Sequence, residues 1–408
     1  MSQPQPATAG ELPNVDLKPL LTRLWPLGHP DAVSADEIAN AISYFFTNQV
    51  SDVQAASLLM CLHFTSLDRQ SDVLAKTAAA MLRAAAQVNT TSLKSIISQK
   101  NLAEGGYAGG LCDIVGTGGD SHNTFNISTT SSILASSLLL MAKHGNKAST
   151  SKSGSADLLA NMQPTPPQIH RVRPDTITQV YSATNYAFLF APVFHPGMRH
   201  VAPIRKQLPW RTLFNLVGPL ANPCELEARV IGVARKDLGP VFADALKISG
   251  ARKAMVVCGD EELDEISCAG PTLCWRLTPT STEVEHFILQ PSDFGLPAHP
   301  LSTVSPGKEP AENAAILAKI LNNEMPDDDP ILHFVLINTA ALLVVSGICD
   351  ADSSNMGHGC DDGAVIQETG PGGGRWKEGV RRATWAIKSG EAARQWAKFV
   401  EVTNSLSD

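Results

Sequence analysis

The chain of 408 residues is short of charge, of paired cysteines and of runs that suit a bilayer. Only 18% of its residues are charged and 43% are hydrophobic, too little charge for a disordered chain and enough apolar content for a sizeable core. Lys and Arg number 32 against 40 Asp and Glu. The net charge of −8 argues against a basic face for sequence-independent nucleic-acid binding, so no nucleic-acid partner is expected. The eight cysteines show no CxxC and no paired spacing, and several, such as Cys258 in Met255-Val-Val-Cys258, sit in apolar runs. They read as buried thiols in a reducing compartment, against a disulfide framework or a zinc site. Met1 to Gly10 lacks the basic and apolar regions of a signal peptide, and the expected localisation is cytoplasmic. Two uncharged runs approach bilayer-spanning length, Ser121–Ala142 and Ile331–Cys349. The first carries nine Ser or Thr and the second contains His333, Asn338, Thr339 and Gly347. Both are expected to be buried helices, with no membrane partner.

The charge that is present is unevenly divided. Lys143 to Arg211 holds nine basic residues opposed only by Asp157 and Asp175, a local balance of +7. Asp260, Glu261, Glu262, Asp264 and Glu265 put five negative charges into six positions. A basic stretch and an acidic knot on one chain suggest an anionic ligand and a cation that bridges to it; solvated loops of opposite sign are the commoner outcome for charge runs.

The length allows one large domain and a smaller one. Residues 1–13 are expected to be a disordered leader, and 14–104 a small all-helical domain. Within it, Ser34-Ala-Asp-Glu37 resembles a capping box, and Leu74, Ala78, Met81, Ala85 and Val88 follow helical spacing. Gly105-Gly-Tyr-Ala-Gly-Gly110 reads as a flexible joint. From 111 to 408 a larger α/β domain with a mainly parallel central sheet is expected, because short apolar segments alternate with helical stretches. The candidate strands are Cys112–Val115, Leu138–Ala142, Ala187–Phe190, Val230–Ala234, Ala254–Cys258, Leu273–Leu277 and Val284–Leu289. Ser292–Asp328 and Asp350–Arg375 read as loops, and about Trp376 to Val402 as amphipathic helix.

Four segments carry chemistry. Asp113-Ile-Val-Gly116-Thr-Gly118-Gly119-Asp120 places a glycine-rich turn after a strand, followed by Asn126-Ile-Ser128-Thr129 and a helix. Glycines let backbone N–H groups approach phosphate oxygens, and hydroxyls and a helix N-terminus add donors. The segment lacks the sixth-position glycine of a dinucleotide fingerprint and the Gly-Lys-Ser/Thr ending of a P-loop, so spacing alone leaves open a tight turn without a ligand. Lys143-His-Gly-Asn146-Lys147 follows a candidate strand directly, which puts Lys143 at the ligand-binding edge of an open sheet, and Ser153-Gly-Ser155-Ala-Asp157 offers a second cradle. His144 is read as a structural histidine. In His195-Pro-Gly-Met-Arg199-His200…Arg205…Arg211, an arginine can clamp a carboxylate with two bonds, although a surface salt bridge is the default. His195 and His200 have no third ligand nearby, which argues against a transition-metal site. The acidic knot suits Mg²⁺ that bridges to substrate phosphates, or is simply solvated surface.

Taken in order, Gly116-Thr-Gly-Gly-Asp120, Asn126-Ile-Ser-Thr129, Lys143-His-Gly-Asn146, Ser153-Gly-Ser-Ala-Asp157, His195-Pro-Gly-Met, Arg211-Thr-x-Phe-Asn215, Gly218-Pro-Leu-x-Asn222-Pro and Leu263-Asp-Glu-Ile-Ser267 resemble the anthranilate phosphoribosyltransferase family, the second dedicated step of tryptophan biosynthesis. The resemblance runs from about Asp16 to the C-terminus. Departures are Gly197 in place of the family's usual alanine, Glu261–Glu262 in place of a usual Asp-Gly turn, and longer loops at 292–328 and 350–375. The resemblance implies a nucleoside-phosphorylase-type architecture, a homodimer, a helical domain joined by about 192–222, and hinge closure at glycine-rich joints. It implies anthranilate and 5-phosphoribosyl-1-pyrophosphate (PRPP) as substrates and Mg²⁺ as cofactor. Gly116, Gly119, Asp120, Asn126, Ser128 and Thr129 are then expected to bind PRPP, with Thr124, Lys143 and Ser155 completing its anion contacts. Ser128, Asp264 and Glu265 are expected to hold Mg²⁺. Asn146 and Arg205 are expected to bind anthranilate, with His195 lining its tunnel. No residue is assigned as a general acid or base, because an aryl amine is already neutral at pH 7.

Two other readings share the fold. A pyrimidine nucleoside phosphorylase would carry Lys-Met-Ser-Gly-Arg where Lys143-His-Gly-Asn146 stands. A non-catalytic nucleic-acid-binding relative would need a continuous basic face and would not require Asp264, Glu265 or Arg205.

Overall fold

The computed structural model describes residues 12–25, 33–148, 153–305, 309–357 and 361–407. Most of the expected leader, residues 1–11, lies outside the described residues. Five helices follow it: Lys18–Leu24, Ala35–Ser43, Asp52–Phe64, Ser71–Arg83 and Thr90–Gln99. The capping box forms at the second of these. The Glu37 N–H donates to Ser34 Oγ at 3.2 Å, and the Ser34 N–H to Glu37 Oε2 at 3.0 Å.

A seven-stranded sheet follows, with β1 (Leu111–Gly116), β2 (Leu140–Gly145), β3 (Tyr186–Phe190), β4 (Leu226–Gly232), β5 (Lys253–Gly259), β6 (Thr272–Leu277) and β7 (Glu285–Leu289) in the order β3-β2-β1-β4-β5-β6-β7. The first five run parallel, and β6 and β7 return antiparallel. Successive side chains on a strand point to opposite faces. Val230, Met255 and Val257 therefore join one core, with the buried helix Pro330–Ser346 and the C-terminal helices. Ile231, Ala254 and Val256 join the other, with the helix Leu238–Ile248 and the N-terminal helices. In Pro330–Ser346 every residue after Pro330 is buried, as expected of a helix apolar all round. Among the described residues no helix is long and apolar enough to cross a membrane.

Several expectations are corrected. Ser121–Ala142 is not one helix: it holds the helix Ile127–Ala135 and the start of β2. Ser132 Oγ and Ser136 Oγ donate to the Thr129 and Ile133 carbonyls at 2.6 Å each, and such back-bonding competes with helix propagation. β2 starts at Leu140 and runs on to Gly145, so Lys143 lies within the strand and not beyond it. The stretch 292–328 contains the helix Pro310–Leu321, with proline at its first position and an apolar face of Ala314, Leu317, Ile320 and Leu321 against the core. The C-terminal amphipathic stretch forms two helices, Trp376–Lys388 and Glu391–Ser405, divided where Gly390 turns to φ +73°. The seven described cysteines are buried and unpaired, and Cys360 lies outside the described residues.

The glycine-rich joint is the largest correction, because it is fastened along its length. The Gly106 N–H donates to the Gly347 carbonyl at 2.7 Å. The Ala108 and Gly110 N–H groups donate to Glu227 at 2.8 and 2.6 Å, and Lys253 Nζ donates to the Gly106 carbonyl at 2.6 Å. Buried Tyr107 donates its hydroxyl to the Gly110 carbonyl at 2.6 Å. The glycines serve close approach: a Cβ on Gly347, whose φ is +91°, would lie 2.8 Å from the Gly106 carbonyl carbon. Gly347→Ala is expected to destabilise the fold by about 1–3 kcal/mol, read from urea unfolding. An unchanged midpoint would show that the joint tolerates separation.

Candidate active site

The carboxyl ends of β1, β2 and β3 open into one cleft of about 830 Å³, where an open α/β sheet binds ligands. Of the residues expected at the site, Gly116, Gly119, Asp120, Thr124, Asn126, Ser128, Lys143, Asn146, Ser155, His195, Arg205, Asp264 and Glu265 all line it. Thr129 does not. It is fully buried, and its hydroxyl donates to Ser155 Oγ at 2.8 Å, so it supports the second loop from behind.

The turn after β1 is a backbone device. Gly118 and Gly119 stand at φ +66° and +80°, left-handed conformations that glycine adopts without strain. The acidic knot, which connects β5 to β6, crosses the ends of β1 and β4. A Cβ on Gly116 would strike the Asp264 carboxylate, and one on Gly232 the Asp264 carbonyl. The Gly118 N–H donates to Asp264 Oδ2 at 2.6 Å. Asn338, from the central buried helix, fixes the same loop from below. Its side-chain oxygen accepts the Ile266 N–H at 3.0 Å, and its amide donates to the Ile266 carbonyl at 3.1 Å.

The second cradle is closed by Asp157, whose Oδ2 accepts the Ala148 N–H at 2.7 Å and the Gly154 N–H at 3.1 Å. Asn222 joins the first two strands: its amide donates to Asp113 Oδ2 at 2.9 Å and to the Ala142 carbonyl at 2.8 Å. On the roof, the Arg205 guanidinium sits 5.8 Å above the Phe214 ring. Arg211 lies outside the cleft lining and donates to the Thr117 and Gly118 carbonyls at 2.8 and 2.6 Å. Arg211, Asn222 and Asp157 stood in quoted motifs without a role, and Asn338 had no role beyond interrupting an apolar run. Arg211, Asn222 and Asn338 carry no local signal, because each acts on a segment distant in sequence, whereas Asp157 closes its own loop three and nine residues back.

Burial sets the electrostatics. Asp120, Asp264 and Glu265 each bring a carboxylate oxygen to within 4.8 Å of the others. Burial, then the neighbouring Asp120 charge, pushes the Asp264 carboxyl up to about 7, against the Gly118 N–H and Arg211, which pull it down. Burial and the Asp264 and Asp120 charges push Glu265 well up as well. Glu265 Oε2 is buried with no hydrogen-bond partner. Crowded oxygen ligands of this kind suit a hard divalent cation such as Mg²⁺. Burial lowers the Lys143 pKa, opposed by the charges of Asp113, Glu265 and Asp264. His195 donates Nε2–H to the Ala221 carbonyl at 2.9 Å, and its ring packs edge-on to His144 at 5.1 Å. Burial lowers His195 to about 4 and holds His144 well below its ordinary value, so both rings are neutral at physiological pH.

A raised carboxyl favours the metal-free fold most at low pH, and that contribution is lost as pH rises through about 7 for Asp264. A cation reverses the sign, since it binds the ionised form. Added Mg²⁺ is therefore expected to raise Tm more at pH 8 than at pH 6, read by thermal unfolding. An equal shift at both pH values would remove these carboxyls from the metal site.

The comparisons with known proteins agree with this geometry. Residues 108–393 match the a/b domain of the glycosyl transferase family, and residues 18–85 match that family's helical bundle domain. The anthranilate phosphoribosyltransferase of Schizosaccharomyces pombe is 39% identical over 373 residues, which span 91% of this chain and 93% of the relative. That of Saccharomyces cerevisiae is 36% identical over 86% of this chain and 87% of its own length. The Saccharomyces cerevisiae enzyme solved in complex with PRPP and Mg superposes with a TM-score of 0.77 at 32% identity, covering 95% of this chain and 97% of that one. The Thermus thermophilus enzyme superposes with a TM-score of 0.69 at 30% identity, over 91% and 96% of the two chains. With its fold, its cleft and both of its matched regions in agreement, the chain belongs to the anthranilate phosphoribosyltransferase family.

Proposed function

We propose that this chain is a Mg²⁺-dependent anthranilate phosphoribosyltransferase of L-tryptophan biosynthesis, which transfers the 5-phosphoribosyl group of PRPP to the amine of anthranilate. The observation that carries this reading is one cleft uniting a glycine-rich anion turn, a buried carboxylate cluster and Arg205 on the opposite wall. The related yeast enzyme has been solved with PRPP and Mg, and a variant of it with 4-fluoroanthranilate.

In the reaction a bond forms between the amine nitrogen and the ribose anomeric carbon. The bond from that carbon to pyrophosphate breaks, its electron pair leaves with pyrophosphate, and the nitrogen sheds a proton. The aryl amine is neutral at pH 7, so the protein's work is to position the substrates and to stabilise charge. The turn at Gly116, Gly119 and Asp120, together with Asn126 and Ser128, receives PRPP, with Thr124, Lys143 and Ser155 completing its anion contacts. Thr129 acts through Ser155. Asp264, Glu265 and Ser128 hold Mg²⁺, with Asp120 beside them. Mg²⁺ when bound neutralises charge on the departing pyrophosphate. Arg205 takes the anthranilate carboxylate, Asn146 binds anthranilate beside it, and His195 lines its approach as a neutral ring. The helical domain, residues 14–104 joined by about 192–222, roofs the α/β domain.

We also infer a cytoplasmic homodimer. Val53, Met60 and Phe64 share one face of the helix Asp52–Phe64 and are 76%, 40% and 61% exposed, an apolar stripe that a second copy would cover. The unpaired buried cysteines suit a reducing compartment.

Purified protein is expected to consume anthranilate fluorescence only when PRPP and Mg²⁺ are both present. Arg205→Ala is expected to raise KM for anthranilate by tenfold or more while KM for PRPP stays within about threefold, the effect of losing one charge-assisted clamp. Equal rises would sink the carboxylate role. Sedimentation is expected to give twice the chain mass, and Phe64→Glu to shift the protein to monomer; a wild-type monomer would refute the dimer.

A further inference from the structure

One peptide of the glycine-rich turn is gripped from both sides. Its N–H, on Gly118, donates to Asp264 Oδ2 at 2.6 Å. The carbonyl of the same residue accepts Arg211 Nη1 at 2.6 Å, and the preceding Thr117 carbonyl accepts Arg211 Nη2 at 2.8 Å. Only the planar guanidinium fork reaches two successive carbonyls in this way. Gly118 and Gly119 stand at positive φ, where glycine has no steric preference, so the direction of the turn's N–H groups must be set by bonds from outside it. Arg211 is placed to set it: its guanidinium lies where a Cβ on Gly119 would fall. The adjacent Trp210 ties this part of the segment to the helix Asp52–Phe64: its ring stacks on His63 at 6.1 Å and packs edge-on to Phe64 at 5.4 Å.

We infer that Arg211 is a positioning residue for the phosphoribosyl donor, acting from outside the cleft by fixing the Thr117 and Gly118 peptides in the orientation that receives it. The inference rests on the function proposed above. It deepens that reading, because Arg211 and Arg205 belong to one segment, 198–217. The stretch that holds the acceptor's carboxylate thereby also holds the donor's turn, through two different side chains.

The test compares Arg211→Ala, Arg211→Gln and Arg211→Lys with the wild type. Both KM values and the melting temperature are measured, and PRPP binding in the presence of Mg²⁺ is followed by calorimetry. KM and Kd for PRPP are expected to rise tenfold or more in all three variants, while KM for anthranilate stays within about threefold. Lysine should rescue little, since it keeps the charge but cannot span two carbonyls. Millimolar guanidinium should partly restore PRPP binding in Arg211→Ala. If Arg211→Lys binds PRPP like the wild type, charge alone matters and the clamp is wrong. If both KM values rise together with a fall in melting temperature, the role is structural. Should Arg211→Ala fail to fold, Arg211→Lys and Arg211→Gln decide the question. A wild type that binds no PRPP and turns over no anthranilate defeats the proposed function itself, a result separate from any ratio of variant to wild type.

Discussion

The structure depends on a buried acidic loop laid across the glycine ends of two parallel strands. Asp264 comes so close to β1 and β4 that neither Gly116 nor Gly232 could carry a side chain. A carboxylate this crowded is costly to ionise, since burial and like charge both oppose it. The protein tolerates this because the loop is held by its backbone. Asn338 grips Ile266 at both its N–H and its carbonyl, and the Ser267 N–H donates to Thr272 Oγ1 at 2.9 Å. The fold thus stores carboxylates that want a positive partner beside a turn whose N–H groups want a negative one.

The rest of the cleft extends that opposition. Arg211 lies near enough to Asp264 and Asp120, and Lys143 near enough to Asp264 and Glu265, for the carboxylate charges to oppose the cost of burying each cation, while Arg205 stands on the opposite wall. The histidines supply no positive charge, because burial leaves His144 and His195 uncharged. Charge is concentrated about the glycine-rich turn and the acidic loop and withheld at the paired histidines.

The sequence displayed those parts that local order determines. A strand ending in Gly116-Thr-Gly-Gly-Asp120 can be read from its own residues, as can the Ser34–Glu37 cap. Contacts made at a distance could not be read. Asn338 meets a loop 72 residues away and Arg211 a turn 94 residues away. Segment boundaries failed where a weak local signal decided them. Serine back-bonding ends a helix at Ala135, and one glycine divides the C-terminal pair. The joint at Gly105–Gly110 failed for another reason: glycines that permit flexibility equally permit close packing, and only the partner at Gly347 distinguishes the two.

The two faces of the sheet bear on how the molecule can be divided. The helix Leu238–Ile248 lies between the sheet and the helix Ser71–Arg83, and Ile42, Phe45 and Leu74 share a core with Ile231 and Val256. Residues 18–85 alone would carry half of an interface, and the remainder would present bare aliphatic side chains to water. The boundary along which relatives are compared is therefore not a seam along which the protein comes apart. Each piece alone would leave uncovered the apolar side chains that the other buries.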